Sequence, residues 1–290
     1  MIGQLIIEGL AIGACYGLFG VAVAIIYKTS EVVNFGQGEM GMISTFIAYH
    51  ILIQYQFPFW LAFIITMIFA ILLGMFIEFF LLRPAKDPTV LGLIIITLGA
   101  EMMLMSLVGW KWGAEQKDFA FPLSVRDTHE ILPGLKLNEW TMGVFILTAL
   151  IMVLLYLFFR YSNLGVAMRA TQQNQNAAKI MGIKVERVFS FTWAMSSVIG
   201  AVAAMFFAAR SVLDPTYMME PFMRAFAAAV LGGLTSIPGV VLGGISLGLI
   251  ENFFGYAWPH WKPIVAFVVI ILVLTLKPSG LFAKHYVKKV

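Results

Sequence analysis

Apolar runs as long as Phe59–Leu82, interrupted by a single charge at Glu78, leave few folds open. At 1.5 Å per residue such a run reaches across the roughly 30 Å hydrocarbon core of a bilayer. Comparable runs recur near Leu5–Tyr27, Val90–Val108, Trp140–Phe159, Phe189–Ala209 and Pro263–Leu276. In lipid, backbone N–H and C=O groups must be satisfied within a helix or around a closed barrel, and these runs are too long and too uniformly apolar for alternating barrel strands. The sequence therefore predicts an all-α, polytopic transmembrane helix bundle, a single domain over residues 1–290 with about 8 membrane segments. Only 12% of residues are charged, against about a quarter in soluble proteins. The first run has no cation before it, since Lys28 follows it, and so reads as a retained helix and not a signal peptide. Its Gly9, Gly13 and Gly17 form a stripe that lets a second helix approach closely. The single cysteine, Cys15, has no partner for an internal disulfide.

Charge then assigns the sides. The segment of about 160–188 carries Arg160, Arg169, Lys179, Lys184 and Arg187 against the single acid Glu186, which places it in the cytoplasm. The loop of about 110–139 has no cationic excess and belongs outside, with Trp110, Trp112 and Trp140 suited to the aromatic belt. Arg83–Pro88 and the tail with Lys277, Lys284, Lys288 and Lys289 should lie inside, and 210–223 outside. These cations flank apolar runs instead of forming a soluble basic face, so nucleic acid is not an expected partner. Within the cytoplasmic segment, Asn174–Met181 predicts a short helix closed by Gly182 in the left-handed cap conformation. A helix that short is unstable alone and fits a groove on a partner.

Asn176-Ala177-Ala178, three residues, then Gly182 resembles the cytoplasmic coupling motif of bacterial ABC importer permeases, usually written Glu-Ala-Ala-x3-Gly. Gly165 and Arg169 upstream, Gly182-Ile183 followed by Val185 and Val188, and the remote Val33–Glu39 stretch are similar to the permease subunits of high-affinity branched-chain amino acid importers, over essentially the whole chain. Asn176 stands where the general motif has Glu, so a salt bridge from that position cannot form. The resemblance implies a multi-pass protein of the bacterial inner (cytoplasmic) membrane, working with a second homologous permease subunit, two ATP-binding subunits and a periplasmic substrate-binding protein that docks outside. It assigns Arg169, Asn174, Gln175, Asn176, Ala177, Ala178 and Gly182 to the loop gripped by the ATP-binding subunits. ATP and magnesium belong to those subunits, and no cofactor is expected on this chain. No Lys follows a Gly, so the chain lacks the P-loop step of a Walker-type ATPase.

Two polar, glycine-bearing interruptions are candidates for the translocation pathway. Asn34, Gly36, Gln37, Gly38 and Glu39 combine neutral donors and acceptors with backbone a substrate can approach, although Glu39 also complements a helix N-terminus. Thr235, Ser236 and Gly239 interrupt the stretch from Arg224 to Tyr256, which by charge parity begins and ends outside. It reads as a re-entrant hairpin with its tip near the bilayer midplane, tolerated where irregular backbone is protein-buried or faces water. The first interruption reads as outside as well, which gives one or two re-entrant or broken helices and an internal repeat; the rival places Lys28 inside and makes residues 34–55 one ordinary span.

Glu78 is positioned to pair with Arg83, while Glu101 and Glu251 are candidates for pairing with Arg224 or Arg210. Gly244-Ile245-Ser246-Leu247-Gly248 matches a nucleophile elbow only formally, since it lies in an apolar helix. His50, His129, His260 and His285 lack ligand-like spacing, so no metal site is expected. A stand-alone secondary transporter using Glu39 or Glu251 as a proton-linked carboxylate remains a rival, as do permeases for urea, short amides or aromatic acids.

Overall fold

The computed structural model describes residues 2–85, 89–132, 135–277 and 279–282. Lys86–Pro88 of the basic loop and Lys284, Lys288 and Lys289 of the tail lie outside the described residues. Among the described residues six helical segments are long and apolar enough to cross a membrane: α1 (Ile2–Ser30), α3 (Phe59–Phe76) with a π-helical end (Ile77–Leu82), α4 (Val90–Trp112), α5 (Glu139–Tyr161), α8 (Val185–Ala208) and α10 (Ile237–Ala257). Further helices are α2 (Gln37–Gln54), α9 (Met219–Gly232) and α11 (Lys262–Leu276), the last apolar over Ile264–Leu276, and α6 (Asn163–Gln173) and α7 (Gln175–Ile180) form the polar segment between α5 and α8. This is a polytopic helical bundle. Among the described residues its strands are an antiparallel pair, β1 (Thr128–Leu132) with β2 (Leu135–Asn138), in the loop between α4 and α5.

The chain divides into two compact units, one of residues 1–24, 123–148 and 220–290, the other of residues 25–122 and 149–219. In the first unit the glycine stripe of α1 meets α10 backbone to backbone. A Cβ on Gly13 would stand 2.6 Å from the Gly244 carbonyl oxygen, and one on Gly17 2.9 Å from Val241 Cα, so the stripe is a packing seam. Asn252 Nδ2 closes the same seam with a 2.7 Å hydrogen bond to the Leu5 carbonyl. The Arg224–Glu251 pairing forms, at 2.9 Å, and Arg224 also pairs with Glu220 one turn away.

The hairpin of α9 and α10 has unequal arms of 14 and 21 residues, about 21 and 31 Å long. After α11 the chain returns to its turn, where Leu281 N–H donates to the Leu231 carbonyl at 2.8 Å and Phe282 N–H to that of Gly232 at 3.3 Å. The turn thus lies level with the end of α11, just past Lys277, and not at mid-depth. α10, at about 31 Å, is itself as long as the bilayer core.

In the second unit α8 packs against both α2 and α3 and is buried along most of its length. Lys28 Nζ sits 5.2 Å from the centroid of the Phe159 ring near the end of α5, and Phe158 stacks on Phe191 of α8 at 5.5 Å. Arg83, at the end of α3, reaches Ser190 of α8 at 2.7 Å. Lys28, Arg83, Arg160 and the α6–α7 segment therefore share one end of the unit. This corrects the repeat reading, which required Lys28 at the opposite end. At that opposite end Lys117 and Leu213 exchange backbone hydrogen bonds of 3.0 and 2.8 Å, joining the two segments expected outside. The tryptophans divide: Trp110 is exposed, whereas Trp140 is fully buried and is no part of an interfacial belt.

Candidate functional sites in the broken helix and the polar loop

α1 ends at Ser30, with Glu31 in the left-handed region at φ 59°. Residues 31–36 are not helical, and α2 starts at Gln37 about halfway along α8. The break is entered from the end that carries the cations, and it places the N-terminus of α2 deep in the unit. Backbone groups freed there need partners, and polar side chains supply them. Asn34 Nδ2 donates to Gln37 Oε1 at 3.0 Å and contacts Met40 Sδ at 3.2 Å. Gln37 Nε2 donates to the Ser196 carbonyl at 3.2 Å, and Ser196 Oγ donates back to Gln37 Oε1 at 3.1 Å. Phe35 N–H donates to Thr97 Oγ1 at 3.3 Å. A Cβ on Gly36 would lie 3.1 Å from the Thr97 carbonyl oxygen, which fits α4 closely against the break.

Asn34, Gly36, Gln37, Gly38 and Glu39 are all buried and contiguous in this cluster. Glu39 is in the first turn of α2 and lies within electrostatic reach of Glu101 on α4. Among the described residues no cation pairs with it. Ser196 and Thr97 belong to the cluster and were missed, because a hydroxyl in an apolar helix carries no sequence signal of its own.

Thr235, Ser236 and Gly239 belong to the other unit, at the α9–α10 turn. Thr235 is exposed. Ser236 caps α10, its Oγ accepting from Gly239 N–H at 3.2 Å. Gly239 faces the Gly232 carbonyl on one side and Phe282 Cβ, 2.9 Å from a Cβ built there, on the other.

The polar loop is built from local chemistry. Ser162 caps α6, and α6 buries Gly165, Met168 and Thr171 along one face while Arg169 stays exposed. Asn174 caps α7, its Oδ1 accepting from Ala177 N–H at 2.9 Å. At the other end Gly182, at φ 83°, donates to the Lys179 carbonyl at 3.0 Å, and Ile183 N–H to that of Ala178 at 3.0 Å. That pair of bonds is the Schellman closure that a left-handed glycine permits. The helix is thus Gln175–Ile180, one residue inside the expected span at each end. Gln175, Asn176 and Ala177 are exposed, and Ala178 is the buried footing. Beside Gly182, Ile180 and Met181 are 86% and 81% exposed. Among the described residues no three metal-ligating side chains cluster.

Residues 5–274 match the family described as "Branched-chain amino acid transport system / permease component". The high-affinity branched-chain amino acid transport system permease protein LivH of Salmonella typhimurium is 30% identical, with 99% of this chain and 97% of that protein aligned. The corresponding permease protein BraD of Pseudomonas aeruginosa is 29% identical over the same shares. Among solved structures, a chain of PsaBC from Streptococcus pneumoniae in complex with Fab aligns with a TM-score of 0.50 at 13% identity, covering 95% of this chain and 91% of that one, which is a likeness of fold.

Proposed function

Because this chain belongs to the branched-chain amino acid transport permease family, we propose that it forms the membrane path of an ABC importer and that α7 is where the ATP-driven motor grips it. It is a multi-pass membrane protein and a permease component of a transport complex. Its partners on this reading are a second homologous permease subunit, two ATP-binding subunits that hold ATP and magnesium, and a periplasmic binding protein meeting the outer loops. Its location is the inner membrane of a bacterium, and its cargo is a branched-chain or related apolar amino acid. Arg169, Asn174, Gln175, Asn176, Ala177, Ala178 and Gly182 form the gripped loop, with Ile180 and Met181 as its apolar contact.

The path runs past Asn34, Gly36, Gln37, Gly38 and Glu39. A helix N-terminus held deep in the bundle, beside neutral amide and hydroxyl groups, suits brief contact with the polar end of a small zwitterion. Ser236 and Gly239 act first as cap and packing at the α9–α10 turn, and with Thr235 they contribute to the path through the inner end of that hairpin. The carrying observation is the capped α7 with bare Ile180 and Met181 at the cation-rich end.

The test is Gly182→Trp. A Cβ at Gly182 meets nothing within 4 Å, so the bundle tolerates the change, at about 1–2 kcal/mol of left-handed backbone strain. Uptake of leucine coupled to ATP should fall at least tenfold, with membrane insertion unchanged. Full uptake in that variant would reject the docking role.

A further inference from the structure

The inner end of α3 changes from α-helix to π-helix over Ile77–Leu82, where Arg83 N–H bonds to the Glu78 carbonyl at 2.8 Å. Insertions of this kind re-aim side chains and recur at functional sites. Here the extra residue per turn brings Arg83 back onto Glu78. Arg83 Nη2 lies 2.8 Å from Glu78 Oε2, and Arg83 Nε 3.2 Å from Oε1. The third member comes from α8: Ser190 Oγ donates to Glu78 Oε2 at 2.6 Å and accepts from Arg83 Nη2 at 2.7 Å. The Glu78 side chain is 5% exposed, and a carboxylate on a side chain that buried persists only where ionic and hydrogen-bonding partners surround it.

One turn earlier in α3, the two helices touch through backbone. A Cβ on Gly74 would stand 2.5 Å from the Trp193 carbonyl oxygen and 3.0 Å from Ala194 Cα. α3 and α8 are thus fastened twice, by a close backbone seam and by a charged knot beside it. α8 begins at Val185, directly after the turn that closes α7, and carries Ser196 against Gln37 farther along. α7 is joined to α8 through residues 181–184 and to α6 through Asn174, and α6 itself packs on α8, so a displacement of α7 reaches α8 by both routes. The knot is the fastening nearest that displacement.

We propose that Glu78, Arg83 and Ser190 are positioning residues that make α3 and α8 move as one body, so that displacement of α7 is transmitted to the wall of the path instead of being lost in bending at the base of α8. The proposal rests on the docking reading of α7. None of the three residues touches substrate. Their contribution is the fraction of each motor stroke that becomes transport.

The intact transporter, co-isolated with its partner subunits and reconstituted in proteoliposomes with its binding protein, allows leucine uptake and ATP hydrolysis to be measured together. Ser190→Ala and Glu78→Gln should lower uptake per ATP hydrolysed at least fivefold while hydrolysis stays within twofold of wild type. Ser190→Thr, which keeps the hydroxyl, should restore the ratio. A purely structural role would lower both activities in step with the yield of folded protein. If Glu78→Gln does not accumulate, the single-hydroxyl change at Ser190 decides. A ratio within twofold of wild type in Ser190→Ala overturns the proposal and leaves the docking reading standing. A wild-type preparation that carries no ATP-binding subunit, or that imports leucine without ATP, defeats the docking reading, and the proposal falls with it.

Discussion

The α7 cap and the α9–α10 turn are both helix ends marked by glycine, and they have opposite characters. A side chain at Gly182 would meet open space, and its neighbours Ile180 and Met181 project almost fully from the chain. At the α9–α10 turn, Gly232, Gly239 and Gly243 press against opposing backbone, and the segment after α11 is hydrogen-bonded across the top. A glycine in a polar interruption says where a helix stops. Whether that end is free to engage a partner or is locked into the fold depends on what the rest of the chain brings to it.

The comparison breaks most decisively at the locked end. Gly232→Val places a branched side chain where the Gly239 carbonyl and Val240 Cα already sit. Backbone cannot yield as a side-chain tip can, so the cost should reach or exceed the upper part of the roughly 1–3 kcal/mol typical of overpacking. The expected outcome is loss of monodisperse protein after detergent extraction. Wild-type yield would mean that the turn is looser than its contacts imply. At the free end the effect should fall on function. Ile180→Asp combined with Met181→Asp should leave yield unchanged while co-isolation of ATP-binding subunits drops at least tenfold, because removing bare apolar anchors from an interface core costs affinity and not fold. Retained co-isolation would move the grip elsewhere on the loop.

Why the sequence distinguishes some of these features and not others follows from how far apart the determining residues lie. The long spans and α7 are legible because their causes are local: an unbroken apolar run, Asn174 three residues before the N–H it caps, and Gly182 at the closing turn. The Glu78–Arg83 and Arg224–Glu251 pairs were also within reach, since an acid and a base in apolar surroundings have few alternatives. The depth of the α9–α10 turn was not legible, because it is set by Leu281 and Phe282, which reach it only after α10 and α11 have folded back. The side of the 31–36 break was hidden for the same reason, resting on Lys28 over the ring of Phe159. Ser196, 159 residues from Gln37, and the burial of Trp140 belong to this class too. The short hairpin of β1 and β2 escaped because four or five residues of alternation are too few to stand out beside helices this long.

The finest distinction concerns what kind of grip α7 offers. Asn176 is exposed in the first turn of α7, where an acid complements the helix dipole by about 0.3–1 kcal/mol. Asn176→Glu should therefore hold or slightly strengthen the helix, and it restores the charge usual at this place in the general motif. If α7 is held chiefly through Ile180 and Met181, the new charge sits at the rim of the contact, where ion pairs contribute little and are screened by salt. ATP-coupled leucine uptake should then stay within twofold of wild type at both low and physiological ionic strength. A tenfold change that disappears on raising the salt would instead make the grip electrostatic, with Ile180 and Met181 reduced to bystanders. The free end and the locked end would then differ in charge as well as in packing.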